Sequence, residues 1–219
     1  MNKHLNEPLP RELEAWFECP AMRPRHSALV QHHSVARGVF CTSIRHQVLV
    51  GVDSTMIYRW FKYFCYQKLV TSRGQTISAF QLWHPRDHIN LEIQRHSLSG
   101  ELGLVKGAKA MIVEKRDNNI PCNTVIKVID LSRKKFVIKY HKCAHRKVLV
   151  SEDFVDTEGG LLIISSMVDV ECGIGSRIDC SKSAIEKSHS TNWIEHKIEE
   201  MGNLQIILPR LVDGLKGLI

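Results

Sequence analysis

An α+β fold, with a curved antiparallel sheet wrapped around a long C-terminal helix, is what the sequence predicts. Three stretches carry that expectation: an aromatic helical segment after Gly51, strand after strand from Thr76 to Cys180, and an amphipathic helix from about Ser190 to Leu208. A cavity between sheet and helix is the natural by-product, and such cavities take apolar small molecules.

The elements follow in order. Pro8, Pro10, Pro20 and Pro24 interrupt any helix longer than RELEAWFE, so residues 1–50 read as an irregular arm packed on a main domain over 51–219. Asp53 or Ser54 caps a helix of about residues 54–67, on which Met56, Ile57, Trp60, Phe61 and Phe64 recur at helical spacing. Turn residues at Asn118-Asn119, Asp130, Gly159-Gly160 and Gly173-Ile174-Gly175 then punctuate the strands, with Leu161 to Val170 and Ile174 to Cys180 expected as a closing hairpin. Pro209 is expected to end the last helix.

Composition narrows the function. Hydrophobic residues at 43% and charged residues at 24% are those of a folded domain, which excludes a disordered or fibrous chain. No apolar run approaches bilayer length and the start is too polar for a secretory signal, so the cytoplasm is expected and a membrane partner is not. Seven scattered cysteines without a CxxC pair argue against a disulfide framework or a thiolate cage. The net charge of +7 invites a nucleic-acid reading. However, Phe136, Ile138 and Tyr140 alternate with Lys135, Val137 and Lys139, as in a strand with one solvated face, and no stacking platform accompanies them, so no nucleic-acid partner is expected.

On the last helix Trp193, His196, Glu200, Leu204 and Ile207 share one stripe beside a second one of Ile194, Ile198, Met201 and Leu208, while Glu195, Glu199 and Gly202 point away. His196 and Glu200 are one turn apart on the buried face and can reach one metal ion together. The spacing alone is cheap, since chance gives about one such pair in a chain of this composition. What adds weight is the apolar setting, where an ionised carboxylate needs a partner. LWHPRDH places His84 and His88 just before a strand, where the bend at Pro85 can aim an imidazole inward. Glu92 lies about 13 Å along that strand from His88 and cannot share its ion. Glu114 in AMIVEKR shares a face with Ala110 and Ile112, so either that face is solvated or a carboxylate points into the interior.

Taken together, GVDSTMIYRWFKYF, LWHPRDH, MIVEK and WIEHKIEEMGNLQIILPRL resemble the 2,4-diacetylphloroglucinol hydrolase family, which includes phloretin hydrolase, over about residues 51–212. The resemblance implies a helix-grip fold, a homodimer, and zinc-dependent hydrolysis of a carbon–carbon bond in an acylated phenol. Residue by residue it implies His88, His196 and Glu200 as zinc ligands and Glu114 as the fourth, also placed for catalysis, with His84 behind them and Trp60, Phe80 and His84 at the substrate pocket. Two positions depart from the family. Phe80 stands where members carry a tyrosine, and Ser165 or Ser166 takes the catalytic position where they carry a histidine, although a serine is no acid or base at neutral pH. A second tyrosine of relatives falls around Ile178 or Asp179. A binding protein without turnover is the competing expectation.

Overall fold

Period-two alternation builds one sheet out of most of the chain. The computed structural model describes residues 9–36, 39–97, 100–116, 120–143, 146–171 and 184–214. Its strands are β1 (Ala28–Ala36), β2 (Val39–His46), β3 (Lys68–Val70), β4 (Thr76–Ser78), β5 (His88–Arg95), β6 (Lys109–Arg116), β7 (Ile120–Leu131), β8 (Lys135–Cys143), β9 (Arg146–Thr157) and β10 (Gly160–Glu171). The helices are α1 (Arg11–Glu18), α2 (Ser54–Arg59), α3 (Ala79–Trp83) and α4 (Ala184–Gly214). Eight strands pair antiparallel in the order β1-β2-β10-β9-β8-β7-β6-β5, and β3 and β4 form a separate ribbon. Register shifts in β5, β7 and β8 mark bulges, which bend a sheet. The result is the expected helix-grip arrangement, a curved sheet closed by α4.

One face of each strand makes the core. Ile126, Val128, Phe136, Phe154, Leu161 and Ile163 are buried beneath Met201, Leu204, Ile207 and Leu208 of α4. Phe61 stacks on Phe136 at 4.3 Å between ring centroids and meets Trp83 edge-on at 5.6 Å. A smaller cluster joins Ile44 of β2 to Ile194 and Ile198 at the other end of the helix. Lys135 and Lys139 face outward, as their alternation with Phe136 and Ile138 predicts.

Several expectations are corrected. The irregular arm ends early: residues 28–46 supply β1 and β2, and β2 pairs with β10 inside the main sheet. All four prolines precede Arg25, so nothing after them opposes strand formation. The helix expected to Gln67 is α-helical only to Arg59 and continues as a π-helical turn over Trp60–Phe64. Cys65 N–H donates to Trp60 O at 3.0 Å to close that turn. Asp53 is the cap, accepting from Met56 N–H at 2.8 Å. Strand β10 pairs with β9 across Glu158-Gly159, whereas the turn Gly173-Ile174-Gly175, the segment Ile174 to Cys180 and Asn118-Asn119 lie outside the described residues. Gly160, which closes the turn between β9 and β10, has φ +131°, and a Cβ there would sit 2.3 Å from Leu49 O.

The last helix runs through Pro209 to Gly214. A proline inside a helix costs about 3 kcal/mol. Ile207, Leu208 and Leu211 around it are buried, each worth about 2 kcal/mol, so packing overrides the break. Gly202 is not on an outward face: Arg23 lies across it, and a Cβ would meet Arg23 Cδ at 2.4 Å.

Candidate metal centre

Chain direction and register put four functional side chains in one place. Ser78 caps α3, after which His84 O accepts from Asp87 N–H at 3.2 Å and from His88 N–H at 2.9 Å, a tight turn that delivers His88 as the first residue of β5. Across the pair of strands His88 stands opposite Glu114 of β6, so their side chains share a face. From above, α4 presents His196 and Glu200. Trp83 fixes this approach, its indole N–H donating to Glu200 O at 2.8 Å while Asn203 Nδ2 donates to Trp83 O at 2.9 Å.

The ligating atoms of His88, His196 and Glu200 all lie within 4.8 Å of one another. His88 Nε2 is 3.2 Å from His196 Nε2 and 3.1 Å from Glu200 Oε1, and His196 Nε2 is 3.7 Å from the same oxygen. Glu114 is not one of this compact set, but its Oε1 lies 3.6 Å from His88 Nε2. Donors bound to a tetrahedral zinc at about 2.0–2.1 Å are about 3.3 Å apart, so these spacings suit one small cation.

The outer nitrogens settle what the inner ones offer. His88 Nδ1 is 2.9 Å from Phe80 O, and His196 Nδ1 is 3.1 Å from Asp87 Oδ2. A carbonyl and a carboxylate only accept, so each Nδ1 donates and each neutral ring turns a bare Nε2 lone pair toward the other and toward Glu200. Acceptors converging in this way repel unless a proton or a cation lies among them. The electrostatics agree. Burial holds His88 below its ordinary range against the pull of Glu200. Burial would lower His196 too, but Glu200 and Asp87 outweigh it and raise that ring. Burial would raise Glu200, yet Lys197, His196 and His88 keep its carboxyl well below the usual range.

His84 is a different case. Fully buried, it donates from Nε2 to Glu199 Oε2 at 3.0 Å and accepts on Nδ1 from Asp87 N–H at 3.3 Å. Both nitrogens are used, and Glu199 is also held by Arg86. Burial would raise Glu199, but the His84 and Arg86 bonds lower it.

A cavity of about 120 Å³ opens beside the centre, lined by Glu114, His196, Glu200, Glu152, Lys197 and, on its apolar side, Phe61, Phe80, Phe136 and Tyr140 among others. An apolar cavity of roughly 150 Å³ accepts one benzene ring, so the space suits a single small ring. Phe80 lies flat on His88, 3.7 Å between centroids at 1°. Trp60 is not a cavity residue; it is buried behind Trp83 with centroids 6.0 Å apart.

Ser165 is buried and bonded, its hydroxyl donating to Glu152 Oε2 and lying 2.8 Å from His46 Nε2. Ser166, the next residue, faces the other side of β10 and does not line the cavity. The expected tyrosine position at Ile178 or Asp179 lies outside the described residues. Sequence reasoning missed His46, Glu152 and Lys197. Lys197 Nζ lies 2.6 Å from Glu200 Oε2 and 3.2 Å from Glu152 Oε1, bridging helix and sheet. A signal existed for Glu152, which shares strand parity with the buried Val150 and Phe154.

No protein-family model matches this chain, and no curated protein matches it. Among solved structures it is similar to the di-domain ARO/CYC BexL from the BE-7585A biosynthetic pathway, with a TM-score of 0.51 and 10% identity over 80% of this chain and 51% of that one. It is also similar to Protein Ms6760 from Mycobacterium smegmatis, with a TM-score of 0.50 and 10% identity over 83% and 96% of the two chains. A START superfamily protein from Mycobacterium smegmatis gives a TM-score of 0.49 at 11% identity, covering 78% and 95%. At such identities the likeness is one of fold. Among the described residues no helix is long and apolar enough to cross a membrane.

Proposed function

We propose that this chain is a zinc-dependent hydrolase of the 2,4-diacetylphloroglucinol hydrolase kind, which binds a small acylated phenol in the cavity and cleaves the bond between acyl carbon and ring. The observation that carries the reading is the convergence of two Nδ1-anchored imidazoles and the Glu200 carboxylate on one point, with Glu114 beside it. Charge supports it as well. Three cavity carboxyl groups, Glu114, Glu152 and Glu200, face one ammonium, Lys197, a formal −2 that a divalent cation cancels.

In this reading His88, His196 and Glu200 hold the ion, and Glu114 completes the set. Bound zinc supplies Lewis acidity and brings the pKa of water toward neutrality. The chain's own residues do the rest. Asp87 and the Phe80 carbonyl fix both rings in the ligating tautomer, as outer partners of metal ligands do. Phe61, Phe80 and Phe136 hold the ring of the substrate and keep bulk water from it. Expulsion of a ring carbon needs a phenolic oxygen to spread the charge, which limits the substrate to acyl groups flanked by hydroxyls.

Metal analysis of the purified chain tests the ligand set, with about one zinc per chain expected. A zinc-free protein whose stability ignores both chelator and added zinc ends this reading. Incubation with monoacetylphloroglucinol, followed by mass spectrometry, tests turnover. Binding without turnover is the second reading, favoured by Phe80, which closes the cavity over His88 with a ring that has no hydroxyl. A stable complex that yields no acetate or phloroglucinol would select it.

A further inference from the structure

We infer that Glu152 is the proton carrier of the cavity, held in place from behind by the Ser165–His46 pair. Hydrolysis of an acyl–aryl bond requires that one proton leave water and arrive on the ring carbon, and nothing in the ligand set is free to move it. The inference rests on the hydrolytic reading above and adds to it the group that completes the reaction.

The geometry singles out this carboxyl. Glu152 is 2% exposed, lines the cavity from the β9 side, and faces Glu200 across Lys197. Its Oε2 accepts from Ser165, whose oxygen lies 2.8 Å from His46 Nε2. One oxygen of the carboxyl is therefore anchored from behind. The other, Oε1, is completely buried and pairs with Lys197 Nζ at 3.2 Å. Burying a carboxyl costs free energy, and one that lines the cavity, anchored from behind by a hydroxyl and paired with a single ammonium, is placed to take and return a proton.

The groups around it support the assignment. Burial raises the Glu152 carboxyl above the ordinary range against Lys197 and Ser165, with Glu200 adding to the rise, so it holds a proton more firmly than an exposed carboxyl does. His46 is held down to about 3 by burial, then by Lys197 and Arg23, so it stays a neutral hydrogen-bond donor to Ser165. Ser165 itself only orients. The step balances: the carboxylate takes a proton from the water whose oxygen bonds to the acyl carbon. As the carbon–carbon bond breaks, its electron pair stays on the ring carbon, which takes that proton from Glu152. The products are a carboxylic acid and a ring C–H, and the carboxylate is restored.

The same transfer, run without bond cleavage, exchanges ring hydrogens. Resorcinol in D2O, followed by proton NMR with the full chain before and after chelation, reads it directly. The native chain is expected to accelerate loss of the ring-proton signal by about a hundredfold over buffer, and Glu152→Gln to return it to background. Tyr140→Phe, which removes the phenolic hydroxyl from the cavity wall, is expected to keep the rate. Should Glu152→Gln not fold, Ser165→Ala decides, because freeing the carboxyl from its anchor is expected to slow exchange about tenfold. Absence of acceleration by the native chain, exchange unchanged in Glu152→Gln or Ser165→Ala, or loss in Tyr140→Phe alone each overturns the inference. Zinc uptake without exchange would remove Glu152 and leave the metal reading standing, whereas exchange without zinc uptake would do the reverse.

Discussion

Two histidines four residues apart, His84 and His88, are both buried within one turn, and their surroundings give them opposite uses. His84 spends both nitrogens, one on Glu199 and one on the Asp87 backbone, and Arg86 covers the cluster from outside. His88 spends only Nδ1, and its other nitrogen confronts acceptors. Consecutive residues of α4 repeat the contrast. Glu199 closes the satisfied cluster, and Glu200 belongs to the unsatisfied one. Burial of a histidine is therefore no guide to ligation; what decides is how many of its nitrogens the fold has already used.

Mutations sharpen that contrast. The largest difference is expected between His196→Ala and His84→Ala. The first should lower zinc affinity by more than about a hundredfold, measured by competition with a chromophoric chelator. The second should leave one zinc per chain and lower stability by about 1–3 kcal/mol in urea, because Glu199 loses a buried partner. Equal zinc loss in both would erase the distinction.

A middle-sized effect tests the anchoring of the rings. Asp87→Asn keeps the shape but offers a weaker acceptor to His196 Nδ1, and zinc affinity should fall by about 10- to 100-fold. Unchanged affinity would mean that Asp87 serves the turn alone.

The smallest effect belongs to the satisfied cluster and to acid. Glu199 has a lowered carboxyl, so its stabilising contribution is present above its unfolded value of about 4.3 and is lost as pH falls through the lower folded value. Partly exposed at the rim of the cluster and so screened by solvent, it should contribute less than about 1 kcal/mol. Thermal melts of chelated protein between neutral pH and the acid range should show a shallower decline in Glu199→Gln than in the native chain.

The sequence made the sheet, the last helix and the His196–Glu200 pair legible because each is written locally, in alternation or in helical spacing. The bend at Pro85 pointed to His84 and His88 alike, and the family resemblance chose between them. The β1–β2 pair was obscured by the four prolines of the preceding segment, although Thr42, Ile44 and His46 alternate inward. Pro209 does not end α4, since propensity yields where Ile207, Leu208 and Leu211 bury together. The chain from Lys197 through Glu152 and Ser165 to His46 joins a helix and three strands. No periodicity in one segment encodes such a contact, because it depends on the pairing of β2 with β10 and of β10 with β9.

His88 and His196 meet across 108 residues of chain, one on the edge strand of the sheet and the other on the last helix. Contacts of such separation form late, after the closure entropy of everything between them has been overcome. Metal capture should therefore lag behind secondary structure when the chain refolds with zinc present. It would report the moment at which the two ends of the fold find each other.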